Sequence, residues 1–395
     1  MPIQLPMIYY SRPRRAADWK CPRSRVWQYE FKGQGLVRAE SGIELFLGTA
    51  LHDGLAAIAV AHRDWGKVDI DKIASTIQKQ VLESILESGT PGDTDHSTYA
   101  WEQSSLVEGL LRGYYIHVFP QFIRNYPRIL AVEQETLFRH NDMGKPDPKG
   151  GFGFMSKPDL VVEDTEGQVW YIEYKSTSSK KEQWINSWNT AIQVHATVRG
   201  IETFLDRPVA GVVVQGLYKG YSSYNKQNSP LCYAYKRSGN PPFTEDQISY
   251  EYKPGFKRYP SWELPGGVKA WVEGMSAQVL GDQFPQTPPI LAKGQMIDAF
   301  FAQAALRESE IAQAMQVINR EETSPELMQQ FLDGFFPQVF ESCAPAYGYS
   351  CSYRSLCHGS IDDPLSVGFQ LRDTSHEKGF KNVGVDSIAD SDLTK

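Results

Sequence analysis

The sequence predicts an α/β protein with a mixed central β-sheet flanked by helices and with helical additions at both ends. Three observations carry that reading. Between residues 128 and 218 the periodicity passes from strand to helix and back to strand, the order of an α/β core. Within it, the runs GFGFMSKPDLVVED and QVWYIEYKS flank Asp164-Thr165-Glu166-Gly167, a turn sequence that folds them into a hairpin. Long apolar-periodic segments on either side supply the helices.

Residues 1–42 read as a basic, aromatic N-terminal segment. Up to position 38, Arg12, Arg14, Arg15, Lys20, Arg23, Arg25, Lys32 and Arg38 stand against only Asp18 and Glu30, interleaved with Tyr9, Tyr10, Trp19, Trp27, Tyr29 and Phe31. Cations mixed with aromatic rings suit a phosphate backbone and stacked bases; a solvated helix face gives the same composition. Residues 43–218 form the core. There, 43–63, 70–90 and 99–125 read as helices, RILAVEQETLF (128–138) as a strand, 182–205 as a helix and VAGVVVQGLY (209–218) as a buried strand. Residues 219–290 read as an insertion of exposed hairpin and loops. It holds a second basic stretch from Lys219 to Arg258, with Lys226, Lys236, Arg237, Lys253 and Lys257, and GDQFPQTPP (281–289) is a linker signal. A C-terminal helical region, 291–371, carries helices over 291–319 and 325–334, and 372–395 form a polar tail expected to be disordered.

Composition narrows the function. The net charge of −7 over 395 residues argues against a protein that coats nucleic acid generally, while leaving room for one that grips it in a local groove. No run of about 18 apolar residues predicts a membrane span, and the first residues lack a secretory pattern. The expected setting is the cytoplasm, of a bacterial or phage-infected cell. Five cysteines are too few, and odd in number, for a disulfide framework. No phosphate-cradling G-x-x-x-x-G-K-[ST] loop is present, so no ATP-driven motor is encoded.

The hairpin carries the chemistry. Its turn is centred near residue 166, so Asp159 and Glu173 fall opposite each other across the ladder. Glu173 and Lys175 are two apart and leave the same face of their strand. Two carboxylates at close range repel unless a cation sits between them, and hard oxygen ligands select Mg²⁺ or Mn²⁺. Such a metal polarises a phosphoryl oxygen, while the lysine orients or deprotonates water. A surface hairpin with a cross-strand salt bridge shows the same pattern. Against it, Leu160, Val161, Val162, Trp170, Ile172 and Tyr174 place the charges on a strand that should be buried, where unpaired charge is costly. Glu133, in the strand before the hairpin, reads as a solvent-exposed strand position or as an additional carboxylate of the site.

The set Lys157-Pro158-Asp159 … Glu173-Tyr174-Lys175 resembles the PD-(D/E)xK nuclease superfamily. Gly48-Thr49-Ala50-Leu51-His52 is similar to the metal-binding histidine motif of its RecB-like exonuclease branch, and Gln193 matches the first residue of that branch's Q-x-x-x-Y element. Position 197 is Thr where the element has Tyr, with His195 nearby, which puts the DNA-positioning role of that helix in doubt. The resemblance implies a restriction-endonuclease-like core and a metal held by Asp159, Glu173, the Tyr174 carbonyl and His52. It also implies that Lys175 activates water and that Gln193 contacts the lysine or DNA.

The cysteines read separately. Cys343, Cys351 and Cys357 are spaced C-x7-C-x5-C, and Cys21 lies far upstream in Trp19-Lys20-Cys21-Pro22-Arg23. Three clustered thiols and one distant one could close a four-thiolate site for an iron–sulfur cluster or Zn²⁺, or be unrelated. Cys351-Ser352-Tyr353-Arg354-Ser355-Leu356-Cys357 resembles the C-x-Y-R-x-L-C ending of AddB-type and CRISPR-adaptation nucleases, which implies a 4Fe-4S cluster stapling the chain ends. The C-x7-C interval is longer than that type's short gap, so Cys343 is the least anchored ligand. Cys232 is left as a lone thiol.

These readings converge on a metal-dependent DNA exonuclease in recombination, repair or CRISPR adaptation, with DNA and a recombination, annealing or CRISPR-adaptation protein as partners. A structure-specific endonuclease, a catalytically silent DNA-binding assembly subunit and a zinc-stapled binding protein are the alternatives.

Overall fold

The computed structural model describes residues 7–38, 43–89, 92–177, 181–188, 191–219, 233–237, 248–249, 256–275, 283–291, 294–318, 325–343, 351–357 and 364–372. The chain begins with β1 (Ile8–Ser11), α1 (Arg12–Lys20), α2 (Pro22–Arg25) and β2 (Leu36–Arg38). A helical block follows: α3 (Ile43–Trp65), α4 (Ile70–Ser88), α5 (Thr94–Gly113) and α6 (Phe119–Asn125). The core strands are β3 (Arg128–Val132), β4 (Thr136–His140), β5 (Phe152–Ser156), β6 (Leu160–Glu163) and β7 (Val169–Thr177). They lead through α7 (Lys181–Trp188) and α8 (Ile192–Leu205) to β8 (Val209–Tyr218). Beyond lie β9 (Tyr233–Arg237), β10 (Ile248–Ser249), β11 (Phe256–Pro260), α9 (Gly267–Glu273), α10 (Gly294–Ile318), α11 (Pro325–Phe335), α12 (Phe340–Cys343), α13 (Arg354–Cys357) and β12 (Phe369–Leu371).

The central sheet has the order β3-β6-β7-β8, with β7 and β8 parallel and the other pairs antiparallel. This is the mixed sheet that the strand–helix–strand order predicts. Alternation along β7 decides what lies on each face. Ile172 and Tyr174 pack with α3, α4 and α5 through Leu51, Leu55, Ile77 and Leu110. Val169 and Tyr171 pack with α7 and α8 through Trp184, Val194, Val198 and Ile201. Asp69 and Asp93 cap α4 and α5, their carboxylates accepting the N–H groups of Lys72 and of Asp95 and His96.

Five expectations need correction. The strand over 128–138 breaks at Glu133, whose φ is +47°, and β4 leaves for a second sheet of order β1-β5-β4. The run 151–164 breaks likewise at Lys157-Pro158-Asp159: proline has no N–H to donate, so the ladder ends and the chain passes from β5 to β6. The helix expected over 99–125 starts at Thr94 and is interrupted by a π-turn, Tyr114–Val118, and the one expected over 182–205 is two helices, α7 and α8. The expected linker is no free linker where it is described. Residues 285–290 run along the outer edge of β8, with Thr287 N–H donating to the Val214 carbonyl at 3.0 Å and Val212 and Ile290 exchanging both bonds at 2.9 and 2.8 Å. Pro285, Pro288 and Pro289 keep it from being a full strand, yet it covers the edge.

Described segments near both ends, 7–38 and 364–372, pair with each other and with this core. β2 pairs with β12, Leu36 opposite Leu371. The basic N-terminal stretch is largely structural. Arg15, Arg23 and Arg25 are 3%, 2% and 1% exposed. Arg25 donates to both carboxylate oxygens of buried Glu308 on α10 at 3.2 and 2.8 Å and to Glu30 at 2.7 Å, and Arg23 pairs with Asp333 on α11 at 2.6 Å. On the core side, Gly144 (φ +72°) lets the β4–β5 loop touch α10, where a Cβ would lie 2.6 Å from the Ala302 nitrogen and the Asp298 oxygen. Among the described residues, no helix is long and apolar enough to cross a membrane.

Candidate active site

The site forms where the β6–β7 hairpin outruns its last rung. Leu160 pairs with Ile172, so Asp159 stands opposite Glu173 one step beyond. Asp159 is buried and held at both oxygens: one accepts the Tyr174 N–H at 2.6 Å, the other the Nδ1 of His52 at 3.1 Å. In an extended strand the N–H and C=O of one residue lie on the same edge. The Tyr174 carbonyl therefore faces the Asp159 side, while the Tyr174 phenol is buried on the helical face against the Tyr114 hydroxyl at 2.8 Å. His52 arrives from α3, whose neighbours Leu51 and Leu55 are buried and fix its rotation.

Glu133 belongs to this group. The backbone break that ends β3 turns its carboxylate inward, with the Glu133 N–H donating to the Asp159 carbonyl at 2.9 Å. Its oxygens lie 3.7 Å from His52 Nδ1 and 2.8 Å from Lys157 Nζ. His52, Glu133 and Asp159 present ligand atoms all within 4.8 Å of one another. The reading of Glu133 as an exposed strand position is thus corrected. Glu173, 2% exposed, bonds Lys175 Nζ through one oxygen and accepts the Tyr171 hydroxyl through the other. Tyr171 is bonded in turn by the Thr197 hydroxyl from α8. Tyr171 was not anticipated, although it lies two residues before Glu173 and alternation puts it on the same face.

The electrostatics follow from this crowding. Burial and the Asp159 charge push the Glu173 carboxyl above its usual range. Burial acts on Asp159 in the same direction, but the His52 and Lys175 charges and the bonds from His52 and Tyr174 hold it below. Burial disfavours a charged Lys175, yet Glu173 and Asp159 keep its ammonium protonated above the ordinary value. For His52, burial is outweighed by Asp159 and Glu133, and the imidazolium is pushed up to about 10. A protonated His52 thus offsets the charges of Asp159 and Glu133. The atoms gathered within reach of one ion are two carboxylates, Glu133 and Asp159, and the His52 imidazole, while both Glu173 oxygens are engaged by Lys175 and Tyr171. Oxygen ligands with one nitrogen fit Mn²⁺ or Mg²⁺.

A pH dependence follows. Because the folded-state value lies above the 6.5 of a free imidazole, His52 stabilises the metal-free fold fully below pH 6.5, and that contribution fades as pH rises toward about 10. The melting temperature of chelator-treated protein should fall across this interval, and His52→Gln should flatten the profile. Parallel profiles would show that His52 does not hold the proton.

The other sequence candidates are placed as follows. Gln193 lies in α8, but its side chain is outside the described residues, as is Cys232. Cys21, Cys343, Cys351 and Cys357 are free thiols on elements that meet at the closure of the chain ends. The Ser342 hydroxyl donates to the Lys20 carbonyl at 2.9 Å, the Cys351 N–H to the Cys343 carbonyl at 3.1 Å, and Trp27 Nε1–H to the Cys357 sulfur at 3.3 Å. Burial, Cys351 and Cys21 push the Cys343 thiol up, and burial leads again at Cys357, with Cys21 and Cys351 adding.

Fold and site together define an α/β protein whose central sheet presents, at the open end of a hairpin, a carboxylate–histidine–lysine cluster that could hold a metal ion. The profile of the PD-(D/E)XK nuclease superfamily matches residues 19–358, and the chain belongs to that superfamily. Membership implies a nuclease with DNA as its substrate and a divalent metal such as Mg²⁺ or Mn²⁺. No curated protein matches the chain.

Proposed function

We propose that this protein is a Mg²⁺- or Mn²⁺-dependent deoxyribonuclease that degrades DNA from its ends. The observation that carries the reading is the gathering of His52, Glu133 and Asp159 beside the Glu173–Lys175 pair at the end of one hairpin. Asp159, Glu173, His52 and the Tyr174 carbonyl would hold the metal, with Glu133 as a further carboxylate. When bound, the cation supplies a Lewis acid for a phosphoryl oxygen. Lys175 holds its proton at Nζ, so it orients the attacking water and supports charge growing on the phosphate by donating to it. Tyr171 fixes the second oxygen of Glu173 so that the carboxylate keeps one orientation.

The likeness of the Gly48–His52 motif to RecB-like exonucleases supports action on ends, and a role in recombination, repair or CRISPR adaptation beside a protein of such a pathway. Four free thiols at the closure of the chain ends, with a C-x-Y-R-x-L-C ending, support a 4Fe-4S cluster as their ligand. Burial foremost, with Cys351 and Cys21 adding to it, raises the Cys343 thiol, and a bound cation would favour its ionised form. Zn²⁺ is the alternative there.

The test is digestion of end-labelled linear and closed circular DNA, single- and double-stranded, in Mg²⁺ and Mn²⁺. Linear DNA should be lost while circles persist, and Asp159→Ala and Lys175→Ala should stop the loss. Cleavage of circles favours the endonuclease, and variants as fast as the parent sink the site. Iron and acid-labile sulfide in equal amounts are expected in the purified protein, and zinc alone would exclude the cluster.

A further inference from the structure

The cations of the N-terminal segment divide by what they touch. Arg15, Arg23 and Arg25 are buried in ion pairs, and Arg14 donates to the Tyr9 carbonyl and lies over the Tyr29 ring. Arg12 differs. Among the described residues it makes no hydrogen bond and no ion pair, and its side chain is exposed. Its place is set by the second sheet. β1 runs parallel to β5 with Ser11 opposite Met155, and Arg12 follows as the first residue of α1, near the end of β5 that leads into Lys157-Pro158-Asp159. From there its charge acts on Glu173 and on Lys175.

We infer that Arg12 is a substrate-binding residue that grips a phosphate oxygen of the DNA strand beside the Glu173–Lys175 pair. The inference rests on the nuclease reading above. Its physical basis is that Arg12 and Lys175 share the field of Glu173: Glu173 favours both charges while the two cations oppose each other, so a phosphate oxygen between them would be held by both. A guanidinium offers a planar fork that matches two phosphate oxygens, and one with no ion pair among the described residues is available to an incoming ligand. The N-terminal segment therefore supplies the site with a residue that the hairpin lacks. The phosphate could be an internal phosphodiester or the terminal monophosphate of a processed end, since the fork recognises both.

The test uses the full-length protein. Fluorescent single-stranded and duplex oligonucleotides, each with a 5′-hydroxyl or a 5′-phosphate, are titrated in Ca²⁺ over a range of salt with the parent, Arg12→Ala, Arg12→Lys and, as a charge-matched control, exposed Lys79→Ala. Loss of one phosphate contact should lower the slope of log affinity against log salt by about 0.7 for single strands or about 0.9 for duplex. Cleavage by Arg12→Ala in Mn²⁺ should fall about ten- to hundred-fold in kcat/KM, as for loss of a charge-assisted hydrogen bond. Arg12→Lys should restore the slope but not the full rate, and Lys79→Ala should match the parent. A deficit confined to 5′-phosphorylated DNA assigns the contact to the terminal phosphate, and an equal deficit assigns it to the chain.

Unchanged melting with unchanged slope and rate in Arg12→Ala overturns the inference. A parent that cuts DNA while Arg12→Ala cuts equally well removes Arg12 alone. A parent that neither binds nor cuts removes the nuclease reading and Arg12 with it.

Discussion

Glu173→Gln should lose DNA cleavage by about 10²–10³-fold, the scale on which one electrostatic element of a preorganised site acts, while the metal-free protein melts at the same temperature or higher. The two effects share one cause. Burial and the nearby Asp159 charge push the Glu173 carboxyl up even with Lys175 bonded to it, so in the absence of metal an ionised Glu173 costs the fold stability. Glutamine keeps the shape and an oxygen for the Tyr171 hydroxyl while removing the charge. Only a state with a cation between the carboxylates makes the ionised form favourable, so added Mn²⁺ should raise the melting temperature of the parent far more than that of the variant. A variant that is less stable without metal and still cuts DNA would show Glu173 to be a structural ion pair.

Glu308→Ala should cost about 3–5 kcal/mol of stability, the penalty for leaving a buried charge without its partner. Glu308 is 2% exposed and accepts both N–H groups of Arg25, with Arg15 3.6 Å away. Burial opposes the Arg25 charge, and Glu308 and Glu30 more than offset it. The double variant Arg25→Met with Glu308→Leu should recover much of the loss, because two apolar side chains of similar bulk need no solvation. Urea unfolding of the three proteins decides this. If the single variant lost under 1 kcal/mol, the pair would be incidental to joining the chain ends.

The parts of the site legible in the sequence are those set by local geometry. A turn centre and a two-residue period suffice to bring Asp159, Glu173 and Lys175 together, and the structure keeps that register. His52 came from the resemblance, since nothing in the periodicity of α3 marks it. Glu133 was misjudged because the chain switches sheets there: a strand reading of 128–138 sends its side chain to solvent, and a backbone with φ of +47° sends it inward. The basic N-terminal stretch misled for a different reason. Charge counts do not separate a buried, paired arginine from a solvated one. The missing signal lay far away, in the apolar stripe Ile297, Phe301, Ala304, Glu308, Ile311 and Met315 of α10, where an acid at a core position asks for a cation. The prolines of 281–289 marked a linker because they cannot donate, but an edge segment needs only some of its N–H groups to pair.

The parallel pairing of β1 with β5 has a consequence for the order of assembly. Ile8–Ser11 leave the ribosome well before Phe152–Met155, Glu308 and Phe369–Leu371, which hold them and the segment behind them. Contacts this distant in sequence close slowly, because a long intervening chain must first be ordered. During synthesis the β6–β7 hairpin and its helices can fold while the N-terminal segment waits unpaired, with Tyr10, Leu36 and other apolar side chains exposed to chaperones or to aggregation. Slow refolding phases should accordingly report docking of the two chain ends rather than formation of the central sheet.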